Sequence, residues 1–167
     1  MIGISACLGG TYCRYDGGTQ QIPALIELVQ KGQAQMVCPE VLGGLPTPRD
    51  PAEIVGGNGF DVWKGTARVV TDHGEDVTEA FKTGAKIAYE KLQASGITQL
   101  VLKERSPSCG SRVIYDGTFS GAKKDGVGVA TAYFLAQGMD VYSEENWQEL
   151  MEVVDGNRKN KSHERPL

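Results

Sequence analysis

Three times along this chain, apolar residues at helical spacing end in a glycine and a short apolar run follows. From Ile22 to Lys31 the apolar positions Ile22, Leu25, Ile26 and Val29 fall at i, i+3, i+4 and i+7, with Pro23 in the first turn and Gly32 as the stop. The run AQMV comes next and leads into Cys38. From Val77 to Ser95 the stripe is Val77, Phe81, Ala85, Ala88 and Leu92, and Gly96 ends it. Asp76 with Glu79 three residues on has the form of a capping box. The run QLVLK then leads toward Cys109. Val127 to Gln137 is apolar and alanine-rich, stops at Gly138 and is followed by MDVY. Ser143 is placed to cap a last helix carrying Trp147, Leu150, Met151 and Val154.

Alternating helices and short apolar runs predict an α/β fold of three layers, Rossmann-like, with a mostly parallel sheet of about four strands between flanking helices. The stretch from Gly43 to Asp76 breaks the pattern. It holds Pro46, Pro48, Pro51 and many glycines, then ARVVTDHGEDV, and reads as a long ordered loop followed by a small β-hairpin insertion or edge strand. Long loops in compact domains are commonly functional, and this one begins directly after Cys38. We expect a single domain over residues 1–154 and a polar, flexible tail over 155–167.

Composition narrows the function. The chain has 167 residues, a net charge of −4 and a pI near 5.2, which argues against a large phosphate-tracking surface. No apolar run is long enough to span a bilayer and no signal peptide opens the chain, so a cytoplasmic protein is expected. In a reducing compartment the four cysteines are better suited to metal binding or catalysis than to disulfides. Gly9-Gly10, Gly17-Gly18, Gly43-Gly44 and Gly56-Gly57 permit tight turns and close backbone approach to a ligand.

Cys7, Cys38 and Cys109 each lie just past the end of an expected parallel strand. Loops after such strand ends meet at one rim, where sites are built. Cys38 is followed by Pro39, and Cys109 is bracketed by Pro107 and Gly110, so neither is a natural core residue. Dispersed thiols suit zinc, copper(I) or an iron–sulfur cluster; the paired knuckles of structural zinc are absent, which favours the cluster. His73 and His163, the only histidines, are not in ligand-like settings. Cys13 is expected to point elsewhere or to sit at the pocket edge. If it binds metal, a non-enzymatic cluster- or zinc-binding module for electron transfer or ligand binding becomes the better reading.

Other polar residues surround these thiols. Glu40, two residues past Cys38, is a candidate acid or base. Ser106 and Ser108 flank Pro107 and either cap the turn or meet a substrate. Asp16 is a turn former or a ligand contact, and Arg49 and Lys103 are anion contacts or surface charges. Walker A, dinucleotide and nucleophile-elbow fingerprints are missing.

The segments SACLGGTYCRYDGG, VCPEVLGGLPTPRDPAEI, DVTEAFKTGA, LKERSPSCGSRVIYDGTFSG and GVGVATAYFLAQGMDVYSEE closely resemble the thiouracil desulfidase family, over about Ile4 to Glu145. The resemblance implies a [4Fe–4S] cluster held by three cysteines, its fourth iron open to substrate, and non-redox removal of sulfur from a thiolated uracil. Matched motif to motif, the ligands fall on Cys7, Cys38 and Cys109, and the catalytic carboxylate on Glu40. The catalytic serine falls on Ser106, in a motif that also holds Ser108. From their own chemistry, Asp16 and Ser108 are expected to contact substrate. Relatives acting on tRNA carry an added RNA-binding domain. None is expected here, so a small thiolated pyrimidine is the expected partner.

Overall fold

The structure is a computed structural model and describes residues 1–18 and 21–152. The expected tail and Val154 lie outside the described residues. The elements run β1 (Ile2–Ser5), α1 (Pro23–Gln30), β2 (Ala34–Val37), α2 (Pro39–Leu42), β3 (Ala52–Val55), α3 (Gly59–Lys64), β4 (Arg68–Thr71), α4 (Thr78–Ala94), β5 (Gln99–Leu102), β6 (Val113–Tyr115), β7 (Lys123–Asp125), α5 (Val129–Ala136) and β8 (Asp140–Ser143). Residues 147–152 form a further helical turn.

The main sheet has four parallel strands in the order β2-β1-β5-β8. Every residue of β1 is buried, as expected of a central parallel strand covered on both faces. One face packs Leu25 of α1 and Leu150 against Ile2, Ile4 and Val101. The other packs Ala85, Ala88 and Leu92 of α4 and Phe134 of α5 against Leu100 and Leu102. These are the three layers the alternating pattern predicted. The chain leaves β1 toward β2 on one side and returns to β5 on the other, so the loops after β1 and β5 diverge at a topological switch point. Among the described residues, no helix is long and apolar enough to cross a membrane.

Two regions depart from expectation. The stretch read as a loop before a hairpin is β3–α3–β4, with β3 and β4 antiparallel and α3 between them. Asn58 Oδ1 accepts from Phe60 N (2.9 Å), Asp61 Oδ2 accepts from Asn58 N (2.9 Å), and Gly65 ends the helix in the left-handed region. A helix of six residues is too short to show a period, so its caps were the only available signal. A second antiparallel pair, β6–β7, was not foreseen, because KKD of β7 carries no apolar alternation. Asp76 and Glu79 do not form the expected box: Asp76 Oδ1 accepts from Thr78 N (2.9 Å), and Val77 is the N-cap without a side-chain bond.

The short helix α2, which follows Cys38, is seated on α4 backbone to backbone. A Cβ at Gly84 would lie 1.8 Å from the Pro39 carbonyl oxygen, and one at Gly43 would lie 2.1 Å from that of Ala80. The sign of one substitution tests this seam. In an exposed helix Gly→Ala stabilises by about 1 kcal/mol. Here Gly84→Ala is expected to destabilise by about 1–3 kcal/mol, the usual cost of overpacking. Denaturant titration checks it, and a gain in stability would show that α2 does not sit against α4 in this way.

Candidate active site

The C-terminal ends of β2, β1 and β5 open into one cavity of about 970 Å³. Cys7, Cys13, Cys38 and Cys109 all line it, together with Glu40, Arg49, Lys103 and Ser106. Local structure fixes each thiol. Cys7 lies in the turn that leaves β1, where Leu8 N donates to Ser5 O (3.0 Å) and Ala6 N continues the ladder to Val37 O (2.8 Å). Cys38 is the extended N-cap of α2, with Pro39 starting the helix and Glu40 in its first turn.

Cys109 sits in a turn closed by Ser106, whose Oγ accepts from Ser108 N (3.0 Å) and Cys109 N (3.1 Å). That turn in turn caps α5. Val129 N donates to Pro107 O (2.8 Å), Ala130 N to Ser108 O (2.9 Å), and Thr131 Oγ1 to Cys109 O (2.9 Å). The approach requires Gly128, where a Cβ would lie 2.4 Å from the Ser108 carbonyl carbon.

Two charged residues organise the loops. The Arg49–Glu40 ion pair is largely buried, at 8% and 16% exposure, so it cannot be dismissed as a solvated surface pair. Arg49 also donates from Nη2 to Cys13 O (3.0 Å) and from Nη1 to Pro46 O (3.0 Å), and its backbone N donates to Tyr15 O (2.6 Å). The sequence left Arg49 undecided between anion contact and surface charge; it is buried, its anion is the Glu40 carboxylate, and it ties two loops together. Glu104, 2% exposed, accepts from Ser111 N (2.7 Å), Ser111 Oγ (2.7 Å), Arg112 N (3.0 Å) and Val113 N (3.2 Å). Burial raises the Glu104 pKa, but the donors of Arg112, Ser111 and Val113 outweigh it and hold the carboxyl below its ordinary value. Sequence reasoning missed Glu104; a carboxylate directly after a buried strand was the available signal. Lys103 pairs with Glu144 (2.8 Å) and joins the ends of β5 and β8.

The thiols form no disulfide. Cys7, Cys13 and Cys38 belong to the apolar cluster on one face of the sheet, and Cys109 to that on the other. Cys13 differs from expectation: it is buried inside the site, its sulfur in contact with those of Cys38 and Cys7. The Cys38 thiol draws the Cys13 pKa down, but Cys7 and burial outweigh it and push it up to about 11. Contact with Cys13, then burial, raises Cys38. Burial, then the charges of Glu40 and Cys38, push Cys109 up to about 12 against the hydroxyls of Ser5 and Ser108. Thiols so placed stay protonated unless a soft cation displaces the protons, which is how metals load such sites. Among the described residues no three thiol sulfurs all lie within 4.8 Å of one another.

The remaining expected residues lie outside the cavity lining. Ser108 Oγ is buried without a hydrogen bond of proper geometry, beside the Cys109 thiol on which it acts. Asp16 is exposed, and its Oδ1 accepts from Gly18 N (2.8 Å) in a turn. Tyr15, Tyr115 and Phe119, none singled out from sequence, add aromatic surface to the cavity.

Fold and site define an α/β protein with a thiol-lined cavity at the switch point of its sheet, fitted to a soft metal centre. Residues 2–146 match the 2-thiouracil desulfurase family, and the chain belongs to that family. It is 49% identical over 154 residues to the uncharacterized protein YbbK of Bacillus subtilis (strain 168), covering 90% of this chain and all of that one. A solved structure of the [4Fe–4S]-dependent thiouracil desulfidase TudS superposes with a TM-score of 0.82 at 44% identity, over 92% of this chain and 97% of the other.

The Glu104 contacts give a stability test. Glu104→Gln removes the charge but keeps the shape, and charged hydrogen bonds contribute about 1.5–3 kcal/mol each before non-additivity. A loss of about 3 kcal/mol at neutral pH is expected by denaturant titration. Because the folded pKa is depressed, the stabilisation is full above the ordinary glutamate value of about 4.3 and disappears as pH falls through the lower folded value. The difference between wild type and variant should therefore shrink in acid. A difference independent of pH would show that the charge is not what holds the loop.

Proposed function

We propose that the chain is a [4Fe–4S]-dependent desulfidase that removes sulfur from a small thiolated uracil, with Cys7, Cys38 and Cys109 as cluster ligands. The observation that carries this is their meeting, from three adjacent strand ends, in one cavity with Glu40 and Ser106. The 44% identity to a [4Fe–4S]-dependent thiouracil desulfidase supports it. Bound there, the cluster would supply an iron that polarises the C=S bond as a Lewis acid and accepts the sulfur.

The chain's own residues do the rest. Glu40, held by Arg49, takes a proton from the attacking water and later returns one to the products. Thiocarbonyl and water become carbonyl and hydrogen sulfide, so no electrons change hands. Ser106 Oγ has both lone pairs engaged by Ser108 N and Cys109 N, which leaves only its hydrogen to offer the substrate. Its role is to donate and orient, not to accept a proton. Tyr15, Tyr115 and Phe119 provide flat faces on which a pyrimidine ring can stack. The rival reading, a cluster or zinc module without turnover, turns on Cys13 as a permanent fourth ligand.

Anaerobically prepared protein should be brown and release sulfide from thiouracil. Cys7→Ala, Cys38→Ala and Cys109→Ala should each lose the colour, while Cys13→Ala keeps it. A colourless zinc protein, or colour equally dependent on Cys13, would sink the assignment. Glu40→Gln should keep colour and substrate binding but lose turnover by roughly 10²–10⁴-fold, the usual contribution of a general acid–base group. Ser106→Ala should lose less. Near wild-type sulfide release by Glu40→Gln would remove Glu40 from the mechanism.

A further inference from the structure

Phe119 is out of place as a packing residue. It belongs to none of the apolar clusters of the core, is 38% exposed and sits at φ 56°. Glycine or asparagine takes that left-handed backbone more readily than a bulky side chain does. Residues held in this way collect at functional sites, where their surroundings fix them. Here the surroundings are the hairpin β6–β7, which walls the thiol-lined cavity with Tyr115 and Phe119. Its root is joined to the turn that carries Ser106 and Cys109: Arg105, directly before Ser106, bridges to Ile114, directly before Tyr115. Its tip is joined to β3. Glu53 Oε1 accepts from Gly117 N (2.9 Å) and from Phe119 N (3.2 Å), and a Cβ at Gly117 would lie 2.6 Å from Ile54 O. Within the tip, Asp116 Oδ1 accepts from Thr118 N (3.0 Å) and Thr118 Oγ1 (2.6 Å). Glu53 is half-buried and itself lines the cavity. Both amides of the tip converge on its one oxygen, which sets where the Phe119 side chain leaves the backbone.

We propose that Phe119 is a specificity-determining residue, its ring held by Glu53 as the face on which the thiolated pyrimidine lies flat. Stacking selects a planar ring whatever its substituents, because it engages the face and leaves the edge, with the thiocarbonyl, free. Glu53 is a positioning residue: it acts through Phe119 and needs only an acceptor oxygen to do so. The wall is preformed, so substrate binding does not bear the cost of ordering it. This inference rests on the desulfidase reading above.

The test uses cluster-loaded wild type, Phe119→Gly, Glu53→Ala, Glu53→Gln and the double variant Glu53→Ala/Phe119→Gly, prepared anaerobically. Sulfide release gives kcat and KM for thiouracil, and uracil as competitor gives an inhibition constant. Phe119→Gly suits the left-handed backbone and should be at least as stable as wild type by denaturant titration. Its KM and its uracil inhibition constant should nevertheless rise about tenfold, the usual scale of a base stacked on an aromatic ring, while kcat changes less. Glu53→Ala should show the same rise, Glu53→Gln should recover most of the affinity, and the double variant should be no worse than Phe119→Gly alone. Unchanged KM and inhibition constant in Phe119→Gly would overturn the proposal, and so would a loss confined to kcat. Full additivity in the double variant would remove Glu53 from its positioning role. Should Glu53→Ala fail to fold, Phe119→Gly and Glu53→Gln carry the comparison. Wild type that releases no sulfide from thiouracil would overturn the desulfidase reading and this inference with it; active wild type with indistinguishable variants would overturn this inference alone.

Discussion

The buried guanidinium of Arg49 is the contact on which the site depends. It joins the loop after β1 to the loop after β2: Cys13, Tyr15, Glu40 and Pro46 are all bonded to this one residue. Buried ion pairs seldom add much net stability, because desolvation opposes the Coulomb gain. What this pair contributes is placement. Glu40 can present one carboxylate geometry to the cavity only while Arg49 is anchored on backbone carbonyls at both of its terminal nitrogens.

The third loop follows the same logic with the sign reversed. There an anion, Glu104, collects the donors of Ser111, Arg112 and Val113 and folds the chain back beyond Cys109. A cation gathers carbonyls on one side of the switch point, and a carboxylate gathers amides on the other. Each loop is thereby held by its own polar anchor, so the sulfur-bearing residues are positioned by protein contacts and not only by the metal they would share.

The framework was readable because its signals are local or periodic. Helical stripes with a glycine stop marked α1, α4 and α5, and the runs between them marked β2, β5 and β8. Convergence of Cys7, Cys38 and Cys109 followed from parallel topology, which places strand ends at one rim. The rest was hidden for physical reasons. Whether Cys13 faces the cavity depends on how the loop of residues 6–18 closes, and Arg49 fixes that closure from 36 residues away. Glu104 looks like any surface carboxylate until the turn it organises is built. Of α3 the chain shows only caps, and β7 pairs through its backbone alone.

The capping of α5 has an electrostatic consequence. Its first amides end on the carbonyls of Pro107 and Ser108, so the positive end of the helix lies against the turn that carries Cys109. A helix start contributes about half an elementary charge, which favours negative groups near it by about 0.3–1 kcal/mol when exposed and up to about 2 when partly buried. Burial, then the charges of Glu40 and Cys38, discourage the Cys109 thiol from ionising. The element that fixes its turn therefore also supplies a field that opposes, in part, the burial that keeps this thiol protonated.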